Sequence, residues 1–433
     1  MHETIDQADI FSSILSTQLN RSMKRRSFLR TSGLLAAIPY GLNGQWLSTF
    51  SRIWPQESDR ILVLIQLNGG NDGLGCVVPI ADYDRLYQVR PKLMVPQPKL
   101  LPVDDQTALH PSLSGIRQLY DEGLLGIAQG VGYPEPNRSH FRSLDIMTSG
   151  SPSDEIWQSG WLGRYREGLE RSPAPPDADP YAITMGYSIS NTCQGMVTNF
   201  STALVDPFTT IQVPAGGRNV EPPFSRHREE MEYIRMISTQ TLDHSRSIKR
   251  AAQLGSNRIS YPESELGRQL QSIAQLISGG LQTQVYIAHL SGFDTHADQI
   301  QPESNGLLGR QPELLTDLSQ CIHAFTQDLA RQQLDHRVFG MTFSEFGRQI
   351  RANESNGTDH GDASAVFYFG GKVNPAVIGS SPAIPEEVPD QAALTMQLDI
   401  RDVYQTILTD WFGASTASSP RWAEGKRIPL FRG

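Results

Sequence analysis

The stretch Ile61-Leu62-Val63-Leu64-Ile65-Gln66-Leu67 is an almost unbroken apolar run that ends abruptly at Asn68-Gly69-Gly70-Asn71-Asp72-Gly73. An apolar run without alternation is typical of a strand buried on both faces, as in a parallel sheet covered by helices. Glycines after such a strand allow a sharp turn and a close approach of the backbone. The stretch therefore predicts a parallel α/β sheet with a polar loop at its edge.

Other segments repeat the same order of strand, loop and helix. Further strands are predicted at 124–131, 283–290, 338–343 and 365–369. Helical spacing of apolar residues predicts helices at 140–147, 226–254, 263–280 and 314–332. This order predicts an α/β fold with a doubly wound, mostly parallel sheet flanked by helices.

Composition narrows the classes of function. The chain has 433 residues and a formal net charge of −9, and it has no basic patch outside its N-terminal region, so nucleic acid is not the expected partner. The three cysteines, Cys76, Cys193 and Cys321, are scattered and form no CxxC pair. We therefore expect any metal to be held by oxygen and imidazole ligands.

The N-terminal region carries the paired arginines Arg25-Arg26, followed by a weakly apolar run at 32–42. This layout is typical of a twin-arginine export signal, so the translocase is an expected partner and the periplasm or the extracellular space the expected location. The run is shorter than the roughly 20 residues that cross a bilayer, so no permanent transmembrane anchor is expected. A basic amphipathic helix is the alternative.

The remaining sequence divides into a few regions. Met23-Lys24-Arg25-Arg26 is a natural start, so residues 1–22 are interpreted as a mis-assigned extension and 23–50 as the signal region. Residues 58–415 are predicted to form a single domain, and 416–433 a C-terminal tail. A segment rich in Pro, Gly, Ser and Thr at 173–223 is predicted to be an inserted cap region with short strands.

Polar side chains concentrate in four loops that follow or precede predicted strands. In open parallel sheets, ligands bind beyond the carboxyl ends of the strands, so these loops are expected to share one cleft. Mixed carboxylate and imidazole ligands suit zinc, manganese or iron, with magnesium or calcium favoured if oxygen dominates. The candidate metal ligands are Asp72, Asp294, His296, Glu345, Asp359 and His360. For each acid alone, capping a helix is the alternative.

Ser139 is the candidate nucleophile, because a serine at a helix start lies beside backbone N–H groups that favour an anion. Its alternative role is only to cap the helix. Arg142 and Arg348, together with Arg138, are candidate donors to a tetrahedral anion. His140 is expected to be a structural histidine or to orient the substrate.

With these residues laid out, the chain resembles domain-of-unknown-function family 1501, exported bacterial proteins related to the alkaline phosphatase and sulfatase superfamily. The resemblance covers about residues 60 to 415. The matching pieces are at 67–74, 139–143, 266–270, 292–296, 342–348, 358–361 and 402–413.

The resemblance implies an alkaline phosphatase-like fold, with a helix-start nucleophile and Asp/His metal loops. The sequence departs from that pattern at three places. Asn68 stands where an Asp is expected, with Asp72 displaced by four residues, and the Asp-x-x-x-His spacing appears as Asp294-Thr295-His296. The usual Asp-His pair is replaced by Glu345-Phe346, which loses an imidazole. These departures favour a mononuclear site, or a site without metal, over a dinuclear zinc site.

The sequence supports two hypotheses, one for an enzyme and one for a binding or accessory protein. The first is an exported metal-dependent hydrolase of phosphate or sulfate esters, with zinc, manganese or calcium as the divalent metal. The alternative is a catalytically degenerate protein of the cell envelope, which binds an anionic ester or glycan or assists the assembly of an envelope polymer. Function does not follow from fold alone. The substituted ligand positions favour the alternative more than the fold alone would.

Overall fold

The structure is a computed structural model that describes residues 59–169, 179–196, 198–208, 243–414 and 425–432. Its strands are β1 (Ile61–Asn68), β2 (Val77–Pro79), β3 (Leu101–Pro102), β4 (Thr107–Leu109), β5 (Leu125–Gly132), β6 (Ala182–Met185), β7 (Ser201–Leu204), β8 (Val285–Ser291), β9 (Val338–Ser344), β10 (Ser364–Gly370), β11 (Val377–Ile378) and β12 (Leu398–Asp399). Its helices are α1 (Gly73–Cys76), α2 (Tyr83–Val89), α3 (Ser114–Asp121), α4 (His140–Ser149), α5 (Trp161–Leu169), α6 (Glu265–Ser278), α7 (Arg310–Arg331) and α8 (Ile400–Thr406), and residues 243–254 are also helical.

Within the described residues, nine strands form the central sheet in the order β11-β5-β10-β9-β1-β8-β6-β7, with β12 also paired to β5. β1 lies in the middle and pairs in parallel with β8 and β9. β10 is antiparallel to β5 and β9, and the other pairs are parallel. The carboxyl ends of β1, β5, β8 and β9 therefore lie at one edge, where β10 begins.

Both faces of the sheet are covered, which explains the unbroken apolar run in β1. Val63, Ile65 and Leu67 belong to one buried cluster, with residues from α3, α6 and α7. Leu62 and Leu64 face the opposite way and join a second cluster, with residues from α4, α5 and α8. The doubly wound, mostly parallel α/β sheet flanked by helices is thus confirmed.

The structure differs from the sequence expectations in the start of α7 and in the position of β6 and β7. α7 begins at Arg310 rather than 314, because Pro312 lies in its first turn, where the missing N–H removes no intrahelical bond. β6 and β7 come from the segment predicted to be an inserted cap, yet they extend the central sheet beyond β8. Their shortness and their polar surroundings hide this pairing in the sequence.

Several expectations fall on residues outside the described ranges, including the twin-arginine signal, the start at Met23 and part of the predicted helix 226–254. By their contacts, residues 58–433 form one compact unit, while the proposed domain boundaries stay predictions. Among the described residues, no helix has the length and apolar character needed to span a membrane.

Candidate metal centre

Two glycines let the loop after β1 lie directly against its neighbours. Gly69 has φ +120°, and a Cβ there would lie 2.2 Å from the backbone nitrogen of Asp294. Gly70 has φ +87°, and its Cβ would lie 2.4 Å from the ring of Phe346. Side-chain-bearing residues rarely adopt these angles, and no side chain fits the space. The loops after β1, β8 and β9 therefore pack without a gap.

Beside these loops, three imidazoles gather around the carboxylate of Asp294. We call His140, Asp294, His296 and His360 the imidazole cluster. Asp294 Oδ1 lies 3.3 Å from Nε2 of both His296 and His360, and Oδ2 lies 3.5 Å from Nε2 of His140. The two nitrogens of His296 and His360 are 2.8 Å apart. Ligand atoms of His140, Asp294 and His360 all lie within 4.8 Å of one another.

The opposite nitrogen of each imidazole faces a group that accepts hydrogen bonds. His140 Nδ1 lies 2.9 Å from Glu345 Oε1, and His296 Nδ1 lies 2.8 Å from Asp359 Oδ1. His360 Nδ1 lies 2.8 Å from the carbonyl oxygen of Arg138. Because carboxylates and carbonyls only accept, each Nδ1 carries the proton and each Nε2 presents a lone pair.

The imidazole cluster therefore contains a set of Nε2 acceptors that face one another and Asp294 without a proton between them, although Arg348 donates to Asp294 Oδ1 at 2.8 Å. Such a set is stable only with a bound cation or with an extra proton on one imidazole. A tetrahedral site with bonds of about 2.0–2.2 Å places neighbouring ligand atoms about 3.3–3.6 Å apart. The contacts of Asp294 Oδ1 with His296 and His360 match this spacing, while His140 faces Oδ2 at 3.5 Å and the two Nε2 atoms of His296 and His360 are closer, at 2.8 Å. The donor set fits a divalent ion.

The protonation states agree with that fit. Burial raises the pKa of Asp294, but the hydrogen bond and the positive charge of Arg348 outweigh it and hold the pKa below its usual range. The hydrogen bond with His296 lowers the pKa of Asp359, and burial lowers that of His360. Ionised carboxylates and a neutral imidazole are the forms that bind metal.

Glu345 and Asp359 meet the imidazole cluster from outside. Glu345 is buried, and its Oε1 accepts from Gly69 N at 2.8 Å as well as facing His140. Asp359 is held by Asn353 Nδ2 at 3.2 Å while it faces His296. Both carboxylates thus touch the Nδ1 side of an imidazole, the usual place of groups that orient metal-bound histidines.

Asp72 lies in a different environment, which we call the buried network: Asn71, Asp72, Arg90, Gln299 and Gln311. The carboxylate of Asp72 accepts two hydrogen bonds from Arg90 NH1, at 2.9 and 3.0 Å, and one from Gln299 Nε2 at 2.7 Å. Every member of the network is at most 2 % exposed. The structure therefore brings Asp72 to an ion pair rather than to the imidazole cluster.

Ser139 lies at the start of α4, where its side chain makes no capping hydrogen bond. Its backbone N–H donates to Asn137 Oδ1 at 2.8 Å. The residues on either side both touch the imidazole cluster, Arg138 through its carbonyl and His140 through its ring. Ser139 therefore lies next to the cluster, because both residues beside it in the chain contact the cluster.

The candidate anion-binding arginines are held by internal contacts. Arg142 binds Asp145 and the carbonyl oxygens of Pro152 and Ser153. Arg348 is buried, and its three nitrogens donate to Asp294 and to carbonyl oxygens of three loops, those of Gly69, Gly70, Phe293 and Thr358. Arg348 touches the imidazole cluster by orienting Asp294, whereas Arg142 holds the loop after α4.

Arg138 is engaged in the same way. Its Nε and NH2 groups donate to the two carboxylate oxygens of Asp362 at 2.8 and 3.0 Å. Its NH1 group donates to the carbonyl oxygen of Gln391. The guanidinium groups of all three candidate arginines therefore have protein partners.

Comparison of sequences gives one family assignment. The family described as "Protein of unknown function (DUF1501)" matches residues 125–412, more than half of the chain. The chain belongs to the DUF1501 family. No curated protein matches it.

Several solved structures are similar to this DUF1501 chain only at low identity. The lipoteichoic acid synthase LtaP from Listeria monocytogenes is 10% identical, with 87% of this chain and 76% of that one covered and a TM-score of 0.35. The C-terminal periplasmic domain of EcEptC from Escherichia coli is 9% identical, with coverage of 85% and 87% and a TM-score of 0.38. A protein in the alkaline phosphatase superfamily from Vibrio parahaemolyticus is 9% identical, with coverage of 83% and 67% and a TM-score of 0.36. Likenesses this distant carry no argument about activity.

The site of this DUF1501 protein contains one histidine that the sequence interpretation left out of the ligand set. The sequence predicts that His140 is structural or orients the substrate, and in the structure its Nε2 faces Asp294. The sequence also suggested that an imidazole is lost at Glu345, and in the structure Glu345 instead orients the imidazole of His140. The sequence feature that points to His140 as a site residue is its position directly after the candidate nucleophile Ser139.

Proposed function

We propose that this DUF1501 protein is an exported, metal-dependent hydrolase of phosphate or sulfate esters. The observation that carries the proposal is the imidazole cluster, in which three Nε2 atoms and one carboxylate converge while each Nδ1 is fixed from behind. The imidazole-rich donor set favours zinc or manganese over calcium, which prefers oxygen ligands. When bound, such an ion supplies Lewis-acid stabilisation of charge on an ester oxygen.

The chain's own groups would bind and orient the ester. The first turn of α4 leaves backbone N–H groups without helical partners, and these attract an anion. Ser139 exposes its hydroxyl at that turn and makes no capping bond, so it is the proposed nucleophile. Arg348 would keep Asp294 in place, since its guanidinium holds the loops after β1 and β8 together.

The binding-protein alternative is favoured by a different observation. The guanidinium groups of Arg138, Arg142 and Arg348 all have protein partners. The backbone N–H groups at the start of α4 are then the main hydrogen-bond donors for an anion at this site. A protein that only binds an anionic ester or glycan of the cell envelope needs no more than this. Hydrolysis, rather than binding, therefore separates the two proposals.

Metal content and turnover provide the test. Protein purified without a histidine tag should hold about one divalent ion per chain, and zinc or manganese added to chelated protein should raise its stability. An ion at 100 times its dissociation constant adds about 2.7 kcal/mol to the free energy of unfolding. His296→Ala and His360→Ala should lose this gain, and His336→Ala, an exposed histidine elsewhere, should keep it.

Aryl phosphate, phosphodiester and sulfate esters should then be assayed with the metal-loaded protein. Chelator-sensitive turnover supports the hydrolase. Metal binding without turnover of any ester supports the binding protein. A wild type that neither holds nor is stabilised by zinc, manganese or calcium would overturn the metal site.

We propose export by the twin-arginine route on the basis of Arg25-Arg26 and the short apolar run that follows. Replacing both arginines with lysine should keep the protein in the cytoplasm when cell fractions are compared by immunoblot. Unchanged export of that variant would contradict this route.

A further inference from the structure

The two loops that supply most of the candidate metal centre meet at a buried amide. One loop carries Asp294 and His296 on either side of Thr295, and the other carries Asp359 and His360 directly after Thr358. Both threonines are buried, at 2 % and 0 % exposure, so they point away from the exposed site. What holds these threonines therefore sets the spacing of the ligands beside them.

Gln299 is the residue that both threonines contact. Its Oε1 accepts from Thr295 Oγ1 at 3.0 Å and from Thr358 Oγ1 at 2.7 Å. Its Nε2 donates to Asp72 Oδ2 at 2.7 Å. Because the carboxylate of Asp72 only accepts, the amide nitrogen must face it, and this fixes Oε1 toward the two hydroxyls.

The backbone of Gln299 is fixed as well. Its N–H donates to Asn356 O at 3.1 Å, and its carbonyl accepts from Gln311 N at 3.0 Å. Arg90 holds Asp72 from the other side, with no exposure of its own side chain. Gln299 is thus a rigid buried group with each polar atom of its side chain engaged.

We propose that Gln299 is a positioning residue for the metal centre, which holds the loops after β8 and before β10 in the spacing that the ion requires. The inference rests on the proposed function. Gln299 touches neither the ion nor the substrate and acts only through Thr295 and Thr358. Backbone hydrogen bonds between the loops, such as Thr358 N to Thr295 O at 3.1 Å, align the two loops. The shared amide oxygen of Gln299 fixes how far the two threonines lie from the buried network.

The test compares two buried glutamines of the same network. Gln299→Met removes the bonds to both threonines and the bond to Asp72, whereas Gln311→Met removes a bond to Asn71 Oδ1 at 3.2 Å. Gln299 is 1 % and Gln311 is 2 % exposed, so both changes place a methionine of the same size in the interior, and the lost bonds of Gln299 are what distinguishes them. Zinc affinity, measured by competition with a chromophoric chelator, should fall about 10- to 100-fold in Gln299→Met, the range for groups that orient metal ligands. It should change less than threefold in Gln311→Met.

A rescue variant separates positioning from a general loss of stability. Gln299→Glu places a second carboxylate against Asp72 and should weaken zinc binding. The double variant Gln299→Glu with Asp72→Asn again has one amide donor facing one carboxylate, with a single negative charge, and should recover part of the affinity. An equal loss of affinity in Gln299→Met and Gln311→Met, or no recovery in the double variant, would overturn the proposal.

Hydrogen exchange of the metal-free protein gives a readout that does not depend on the ion. Gln299→Met should speed amide exchange in both 294–296 and 358–360, and Gln311→Met should leave these segments protected. If the wild type binds no zinc, the proposed function fails, and the exchange result alone still decides whether Gln299 holds the two loops. Unchanged exchange in Gln299→Met would refute that role.

Discussion

The buried network and the imidazole cluster are neighbours built from similar side chains, yet they are arranged in opposite ways. In the buried network, the acceptors of Asp72 meet donors from Arg90 and Gln299. In the imidazole cluster, the lone pairs of His296 and His360 face each other and the carboxylate of Asp294. The carboxylate of Asp72 is fully paired by protein donors, whereas in the imidazole cluster Arg348 pairs with Asp294 but the Nε2 atoms of the imidazoles face other acceptors.

This difference separates structural from functional polar groups better than residue type does. A buried polar group costs free energy unless it is paired, so a fully paired buried carboxylate such as that of Asp72 indicates a role in the fold. Acceptors that converge at an exposed edge indicate a place for a cation. Asp72 and Asp294 are both strand-end aspartates with an arginine partner, and their burial and their remaining neighbours distinguish them.

The largest expected effect concerns the buried network. Arg90→Met leaves the carboxylate of Asp72 buried without its cation, and breaking such a pair typically costs about 3–5 kcal/mol. The free energy of unfolding, measured with urea, should fall by that amount. Arg246→Met serves as the control, since that arginine is 77% exposed in its pair with Asp243 and exposed pairs contribute about 0–1 kcal/mol. A loss below about 1 kcal/mol for Arg90→Met would contradict the structural assignment of Asp72.

The smallest expected effect on stability is at the exposed edge. Ser139→Ala removes a hydroxyl that makes no capping bond, so the free energy of unfolding should change by less than the roughly 0.5–2 kcal/mol that a capping serine contributes. Ser264→Ala is the matched control, because Ser264 Oγ accepts from Gly267 N at 3.0 Å and should show the full capping loss.

Turnover should show the opposite order. Ser139→Ala should lose most hydrolysis of aryl esters while Ser264→Ala keeps it, since only Ser139 lies beside the imidazole cluster. Activity retained in Ser139→Ala would point to water as the nucleophile and leave the serine without a chemical role.

The positions of the candidate ligands follow from the sequence to a useful degree. Each predicted loop lies at the end or start of a strand, so the predicted sheet already placed Asp294, His296, Asp359 and His360 at one edge. His140 follows β5, whose carboxyl end reaches the same edge, but its spacing to the other ligands is long range in the sequence. The buried partners of Asp72 differ in this respect, since Arg90 is 18 residues away in the sequence and Gln299 is 227 residues away.

The sequence by itself determined the α/β sheet, the apolar strands and the polar loops at their carboxyl ends, because these depend on local periodicity and on glycine at strand ends. Only the tertiary structure decided which polar groups are paired. Gln299 approaches Asp72 across 227 residues, Glu345 approaches His140 across 205 and Gln299 approaches Thr358 across 59. A hydrogen bond depends on the distance and direction between such groups, and the packing of the sheet sets both.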